Sequence, residues 1–80
     1  MSILDSILDK YPEEGFIKAD GFDEAIIGVS TDIRLVYSVD KIIESLMKYM
    51  SEDDAIDYFY FNIDGAYLGD KTPIYIHLIN

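Results

Sequence analysis

The absence of cysteine is the feature that most constrains the fold, because the chain is only 80 residues long. A domain of this size buries only about two-thirds of the surface that its unfolded chain exposes, so it has little stability to spare. Without cysteine, neither disulfides nor thiolate metal sites can add to that stability. The chain must therefore fold by packing one modest hydrophobic core, or by associating with other chains.

The composition is both hydrophobic and acidic. Half of the residues are apolar or aromatic, which is too many for a disordered acidic segment. Sixteen Asp and Glu against six Lys and Arg give a net charge of −10. Such a surface disfavours direct binding to nucleic acid or anionic membranes and attracts basic protein surfaces. High net charge also keeps small proteins dispersed, so charge alone does not assign a function.

Two helices are predicted from apolar residues at the 3.6-residue period. In residues 2–11 the apolar side chains share one face, Ser2 is the expected N-cap, and Pro12 ends the helix. Residues 39–50 give the clearest pattern in the chain, with Ser38 as the expected N-cap. Both helices are amphipathic, so each should cover part of a core.

A third helix is predicted from about residue 52 to residue 63. Ser51 offers a cap oxygen, and three acids follow in the first turn, where the helix dipole favours negative charge. The helical projection assigns five residues to the core side: Ala55, Ile56, Phe59, Tyr60 and Ile63. Tyr58 and Phe61 fall outside that side.

Short β-branched runs predict three strands. Residues 25–30 and 34–38 read as a hairpin, and Gly28 within the first run suggests a bulge or the close approach of a neighbouring backbone. Residues 74–79 alternate as a half-buried strand does. We therefore predict one α+β domain over residues 1–80, in the order α-β-β-α-α-β. It should have a small, mainly antiparallel sheet of about three strands with helices on one face.

Three segments carry a resemblance to known sequences. They are Gly-Phe-Asp-Glu-Ala-Ile-Ile-Gly at 21–28, Arg-Leu-Val-Tyr-Ser-Val-Asp-Lys-Ile-Ile-Glu at 34–44, and Phe-Asn-Ile-Asp-Gly-Ala-Tyr-Leu-Gly-Asp-Lys-Thr-Pro at 61–73. Together they resemble a family of small uncharacterised acidic proteins encoded by tailed phages. The resemblance spans roughly residues 20–75 and brings no activity with it. It implies a phage-encoded accessory protein, which we expect in the host cytoplasm.

Loop carboxylates are the only candidates for a cation site. We assign no metal, but if the two loops converge, Asp20 and Asp23 from one loop would meet Asp64 and Asp70 from the other. Oxygen ligands of this kind suit a hard cation. Solvated carboxylates or contacts to a partner explain the same residues.

No other motif predicts catalysis. His77 is the only histidine and has no nucleophile or further metal ligand at a recognisable spacing. Gly65 and Gly69 do not form a phosphate-binding motif; we expect Gly65 to end the third helix as a C′ residue and Gly69 to shape a turn. We predict a non-enzymatic protein without a cofactor, direct nucleic-acid binding or membrane association.

The third helix carries the candidate partner-binding residues. At 100° per residue, Asp53, Asp57 and, if the helix extends that far, Asp64 fall within about 40° of one another, an acidic row that resembles the charges of a DNA backbone. An ordinary solvated helix face explains the same row. Tyr58 and Phe61 lie three residues apart, at the spacing of neighbours on a helix surface. Exposed aromatic residues at this spacing favour a contact surface.

Three hypotheses follow. The favoured one is protein–protein binding to a basic host protein, with inhibition of a nucleic-acid-handling or defence protein through a DNA-like acidic surface. The second is a small-molecule or cation-binding domain built on the loop carboxylates. The third is a structural protein that self-assembles as a homodimer or higher oligomer, which would also relieve the shortage of core.

Overall fold

The computed structural model describes residues 2–79. The helices are α1 (Ile3–Lys10), α2 (Val39–Leu46) and α3 (Glu52–Tyr58), and α3 continues directly into a π-helical segment (Phe59–Asp64). A short 3₁₀ turn (Asp23–Ala25) precedes strand β1 (Ile26–Val29), and the other strands are β2 (Leu35–Ser38) and β3 (Ile74–Ile76). The predicted α+β class and the order α-β-β-α-α-β are confirmed.

Serine N-caps fix where all three α-helices begin. The hydroxyls of Ser2, Ser38 and Ser51 each accept a hydrogen bond from the backbone N–H three residues later. Because these N–H groups have no partner within the helix, each serine supplies a hydrogen-bond acceptor that water would otherwise have to supply. The cap positions expected from the sequence are therefore confirmed.

The end of α2 differs from the prediction. The helix stops at Leu46 rather than at Met50, because the N–H groups of Lys48 and Tyr49 bond to carbonyls three residues back. Such tighter turns commonly close a helix. Tyr49, which lies within the predicted helix, falls outside α2 and is 84% exposed.

The sheet is mixed, and here the prediction of a mainly antiparallel sheet was wrong. The strand order is β1-β2-β3, with β1 antiparallel to β2 and β2 parallel to β3. The register of the hairpin shifts between Ile26 and Gly28, which confirms the expected bulge. Helices α2 and α3 lie between β2 and β3 in the chain and form the long crossover that a parallel pair requires.

Two basic side chains tie the loop before β3 to the β1–β2 turn. The Arg34 guanidinium donates to the Thr72 carbonyl at 2.8 Å, and the Lys71 ammonium donates to the Ile33 carbonyl at 3.0 Å. Ile33 itself has a φ of +61°, which is rare for a β-branched residue. These bonds hold the chain where it enters β3 beside β2.

One continuous core joins the helices to the sheet. Its buried members are Leu4, Ile7, Ala25, Ile26, Leu35, Tyr37, Val39, Ile42, Leu46, Ala55 and Phe59. Tyr37 is fully buried, and its hydroxyl accepts the backbone N–H of Ala19 at 2.9 Å. The ring of Tyr75 lies 5.6 Å from that of Tyr37 and packs edge-on against Phe59 at 5.4 Å. Aromatic contacts therefore join the sheet to the helical crossover.

Helix α3 touches the core along a narrower line than its sequence predicted. Ala55 and Phe59, four residues apart, are buried, and Ile63 is partly buried. Ile56 and Tyr60 were also expected in the core, but they are 37% and 47% exposed. Ile56 lies about 100° round the helix from Ala55, and Tyr60 follows Phe59 inside the π-helical segment, so neither lies on the buried line.

Candidate interaction surface

The exposed side of α3 and the π-helical segment form a shallow depression. Six residues line it: Met50, Asp54, Asp57, Tyr58, Phe61 and Asn62. We call this set the acidic–aromatic surface. Met50 packs partly against the core, whereas the other five residues lie on α3 and the π-helical segment away from the buried line of Ala55 and Phe59.

Aromatic exposure is the main property of this surface. Phe61 is 84% exposed and Tyr58 is 44% exposed, although both carry large apolar rings. Neighbouring carboxylates of Asp54 and Asp57 are also exposed. Large exposed apolar residues beside a polar rim are typical of interaction sites.

The π-helical geometry determines how Phe61 is presented. A π-helix closes hydrogen bonds five residues apart, so its turn is wider than that of an α-helix, and such segments often occur at functional sites. The Asn62 side chain donates to the Tyr58 carbonyl at 3.2 Å, the acceptor that its own backbone N–H would use in an α-helix. This hydrogen bond therefore helps to fix the backbone where α3 continues into the π-helical segment.

The structure brings together part of the predicted partner-binding set. Asp57, Tyr58 and Phe61 share the acidic–aromatic surface, whereas Asp53 is exposed in the first turn of α3 but does not line it. Asp54 also lines this surface but was not among the predicted partner-binding residues. Its spacing of three, four and seven residues from the three shared members is the signal that would have included it.

Asp64 is the last residue of the π-helical segment and does not line the acidic–aromatic surface. The projection at 100° per residue assumes an α-helix, and the wider π-helical turn places fewer degrees between successive residues. Besides burial, the negative charge of the Asp64 carboxylate contributes to the raised pKa of Tyr75 in β3. Burial raises the pKa of Tyr75 to about 12, with smaller contributions from Tyr37 and from the negative charge of Asp64.

The loop carboxylates do not form a cation site within residues 2–79. Asp20, Asp23, Asp64 and Asp70 are not part of any group of three or more acidic or histidine side chains close enough to hold a metal ion. Asp23 is instead paired with the Lys18 ammonium at 3.1 Å. The convergence of loops that the cation hypothesis requires is therefore not seen.

A second depression lies between the 3₁₀ turn and α2. Both charge signs line it: Asp23, Glu24 and Glu44 on the negative side, Lys41 and Lys48 on the positive side. Because the opposite charges face the same space, their fields offset each other and favour no class of charged ligand.

A scan against protein-family models and searches of curated proteins and of solved structures each returned no match. Between residues 2 and 79, the structure has no helix with the length and apolar character needed to cross a membrane. What the fold and surface define is a small α+β protein that presents exposed aromatic rings beside carboxylates on its helical crossover.

Proposed function

We propose that this protein acts by binding a basic protein surface through its acidic–aromatic surface, and not by catalysis. The observation that carries this proposal is the 84% exposure of Phe61 on a π-helical segment, next to the carboxylates of Asp54 and Asp57. When a partner covers an apolar ring that the backbone holds in water, the free energy falls because apolar surface is removed from water.

The surface has the composition of a binding hot spot. Aromatic anchors supply most of the energy at many interfaces, while charged groups at the rim steer encounter and exclude wrong partners. Phe61 and Tyr58 supply two rings at neighbouring positions, and Asp54 and Asp57 supply the rim. A partner with an apolar pocket flanked by Lys or Arg is complementary to this arrangement.

The phage resemblance supports a more specific form of the proposal, in which the partner is a host protein that handles nucleic acid or serves in defence. In this form three of the exposed acids of α3, Asp53, Asp54 and Asp57, bind basic residues that otherwise hold phosphates. Asp64 ends the π-helical segment and lies outside α3, so the contact rests on a short acidic cluster and the aromatic anchors.

An affinity capture from bacterial lysate tests the proposal with matched baits. We expect the wild-type chain to retain a basic protein that Phe61→Ser releases, since loss of an aromatic anchor costs about 2 kcal/mol, roughly thirtyfold in affinity. Asp57→Lys should weaken retention and reduce its sensitivity to salt. Tyr67→Ser is the matched control, because Tyr67 is 79% exposed and lies outside the surface.

The alternative outcomes are distinguishable. Equal retention by wild type, Phe61→Ser and Asp57→Lys would contradict the assigned surface. A chain that captures no protein, but sediments as an oligomer that Phe61→Ser dissociates, would show that a second copy covers the surface. That result would favour self-assembly over a heterologous partner.

A further inference from the structure

A groove between α2 and α3 lies outside the acidic–aromatic surface. Apolar side chains form its floor: Val39 and Ile43 from α2, Met47 at its C-cap, and Ile56 and Tyr60 from α3 and the π-helical segment. Their spacing of four residues along each helix places them in two facing rows. We call this the α2–α3 groove.

The floor is incompletely covered by the fold. Val39 is buried at its base, whereas Met47 is 44% exposed, and Ile56 and Tyr60 on the opposite side are also exposed. Methionine adapts its shape to different apolar partners, which suits a docking surface. The fold thus leaves a strip of apolar surface that a partner can remove from water.

The rim of the groove is acidic on both sides. Asp40 and Glu44 stand on α2, and Glu52 stands on α3, each with its side chain exposed. His77 closes one end, where its Nε2 lies 3.2 Å from the Tyr60 hydroxyl and its Nδ1 lies 4.0 Å from the Asp40 carboxylate. The rim therefore selects an occupant with basic residues on both flanks of an apolar stripe.

We propose that the α2–α3 groove binds a basic amphipathic helix of another protein. From Val39 to Met47 the α2 wall rises about 12 Å, the length of about two helical turns. An amphipathic helix carries apolar residues at three- and four-residue spacing over that length, with polar residues on both flanks. Lys or Arg at those flanks would meet the carboxylates of the two walls.

A second copy of this chain does not fit the groove. Each of α1, α2 and α3 carries more acidic than basic residues, so its own helices would bring like charges to the acidic rim. The net charge of −10 adds to that repulsion. Charge complementarity therefore selects a basic helix from a different protein.

The test uses the full chain and a labelled synthetic peptide of about 15 residues, with Leu at three- and four-residue spacing and Lys at the flanks. Fluorescence anisotropy measures the dissociation constant, and amide chemical shifts map the contact. We expect shifts in α2 and α3 along the groove. A peptide with the same leucines and Glu for Lys should not bind.

Matched variants separate the groove from general charge attraction. The pair Glu44→Lys and Glu52→Lys should weaken binding about tenfold or more, whereas Asp9→Lys with Glu13→Lys removes the same charge elsewhere and should change it about twofold. Met47→Gln tests the floor, and Leu68→Gln is its exposed control outside the groove. Circular dichroism verifies that each variant is folded.

Equal losses in the two charge-reversal pairs would overturn the proposal, because binding would then follow net charge alone. A dimer that is seen in sedimentation and dissociated by Met47→Gln would also overturn the proposal, because a second copy would then occupy the groove. Phe61→Ser should leave peptide binding unchanged. The proposal for the groove and the proposal for the acidic–aromatic surface can therefore be refuted independently.

Discussion

The hydrogen bond between Tyr37 and Ala19 allows a sharp test of the fold. Tyr37→Phe removes only the hydroxyl, which accepts the Ala19 N–H at 2.9 Å. The ring is fully buried, whereas Ala19 is partly buried, so water reaches the freed N–H only in part. A lost hydrogen bond of this kind costs about 1 kcal/mol, and an unsatisfied buried donor costs about 1–3 kcal/mol. We therefore expect a loss of about 1–2 kcal/mol in the free energy of unfolding.

Urea unfolding followed by circular dichroism measures this loss as a lower midpoint at an unchanged slope. For a domain of this size, 1 kcal/mol corresponds to a fall of about 4–8 °C in melting temperature. Amide hydrogen exchange supplies a local readout, because the Ala19 N–H should exchange faster in the variant. Both measurements probe how the loop before β1 is held to the sheet.

Tyr75→Phe is the matched control. Tyr75 is the register partner of Tyr37 in the neighbouring strand, and within residues 2–79 its hydroxyl forms no hydrogen bond. Its removal should change stability by less than about 0.5 kcal/mol. The reasoning would be refuted by an equal loss in both variants, or by a Tyr37→Phe protein as stable as wild type with unchanged Ala19 exchange.

Two further predictions concern alkaline pH and the glycines. Burial is the main cause that raises the pKa of Tyr37, and it raises the pKa of Tyr75 to about 12. Both hydroxyls therefore hold their protons more strongly in the folded than in the unfolded state, and each stabilises the fold while it is protonated. That stability should be fully present below about pH 10 and lost as pH rises toward 12, with Tyr75→Phe removing the phenolate absorbance step near pH 12. Gly69→Ala should destabilise by about 1 kcal/mol because Gly69 has a φ of +99°, whereas Gly65→Ala, at a φ of −75°, should be neutral or stabilising in thermal melts.

Local patterns in the sequence predicted local structure well. Ser2, Ser38 and Ser51 were identified as caps because a cap depends only on the next three residues. The bulge at Gly28 was expected on similar grounds. Gly65 was placed correctly at a helix end, but it does not adopt the left-handed conformation of a C′ glycine, since its backbone remains right-handed.

Features that depend on distant contacts were not predicted. Alternation in β3 reveals which residues share a face but not the direction of pairing with β2, which the intervening crossover decides. The π-helical turn changed the angular position of Asp64, because the projection assumed an α-helix throughout. At the candidate site, Asp57, Tyr58 and Phe61 were brought together as expected, while Asp54 was missed.

The edge-on contact between Tyr75 and Phe59 links the stability of the sheet edge to that of the helical crossover. Strand β3 has only three residues, so few hydrogen bonds oppose its local opening. When it opens, Phe59 loses the ring that supports it at the start of the π-helical segment. A partner bound to the closed form of that segment must therefore slow hydrogen exchange in β3, although it never touches the strand.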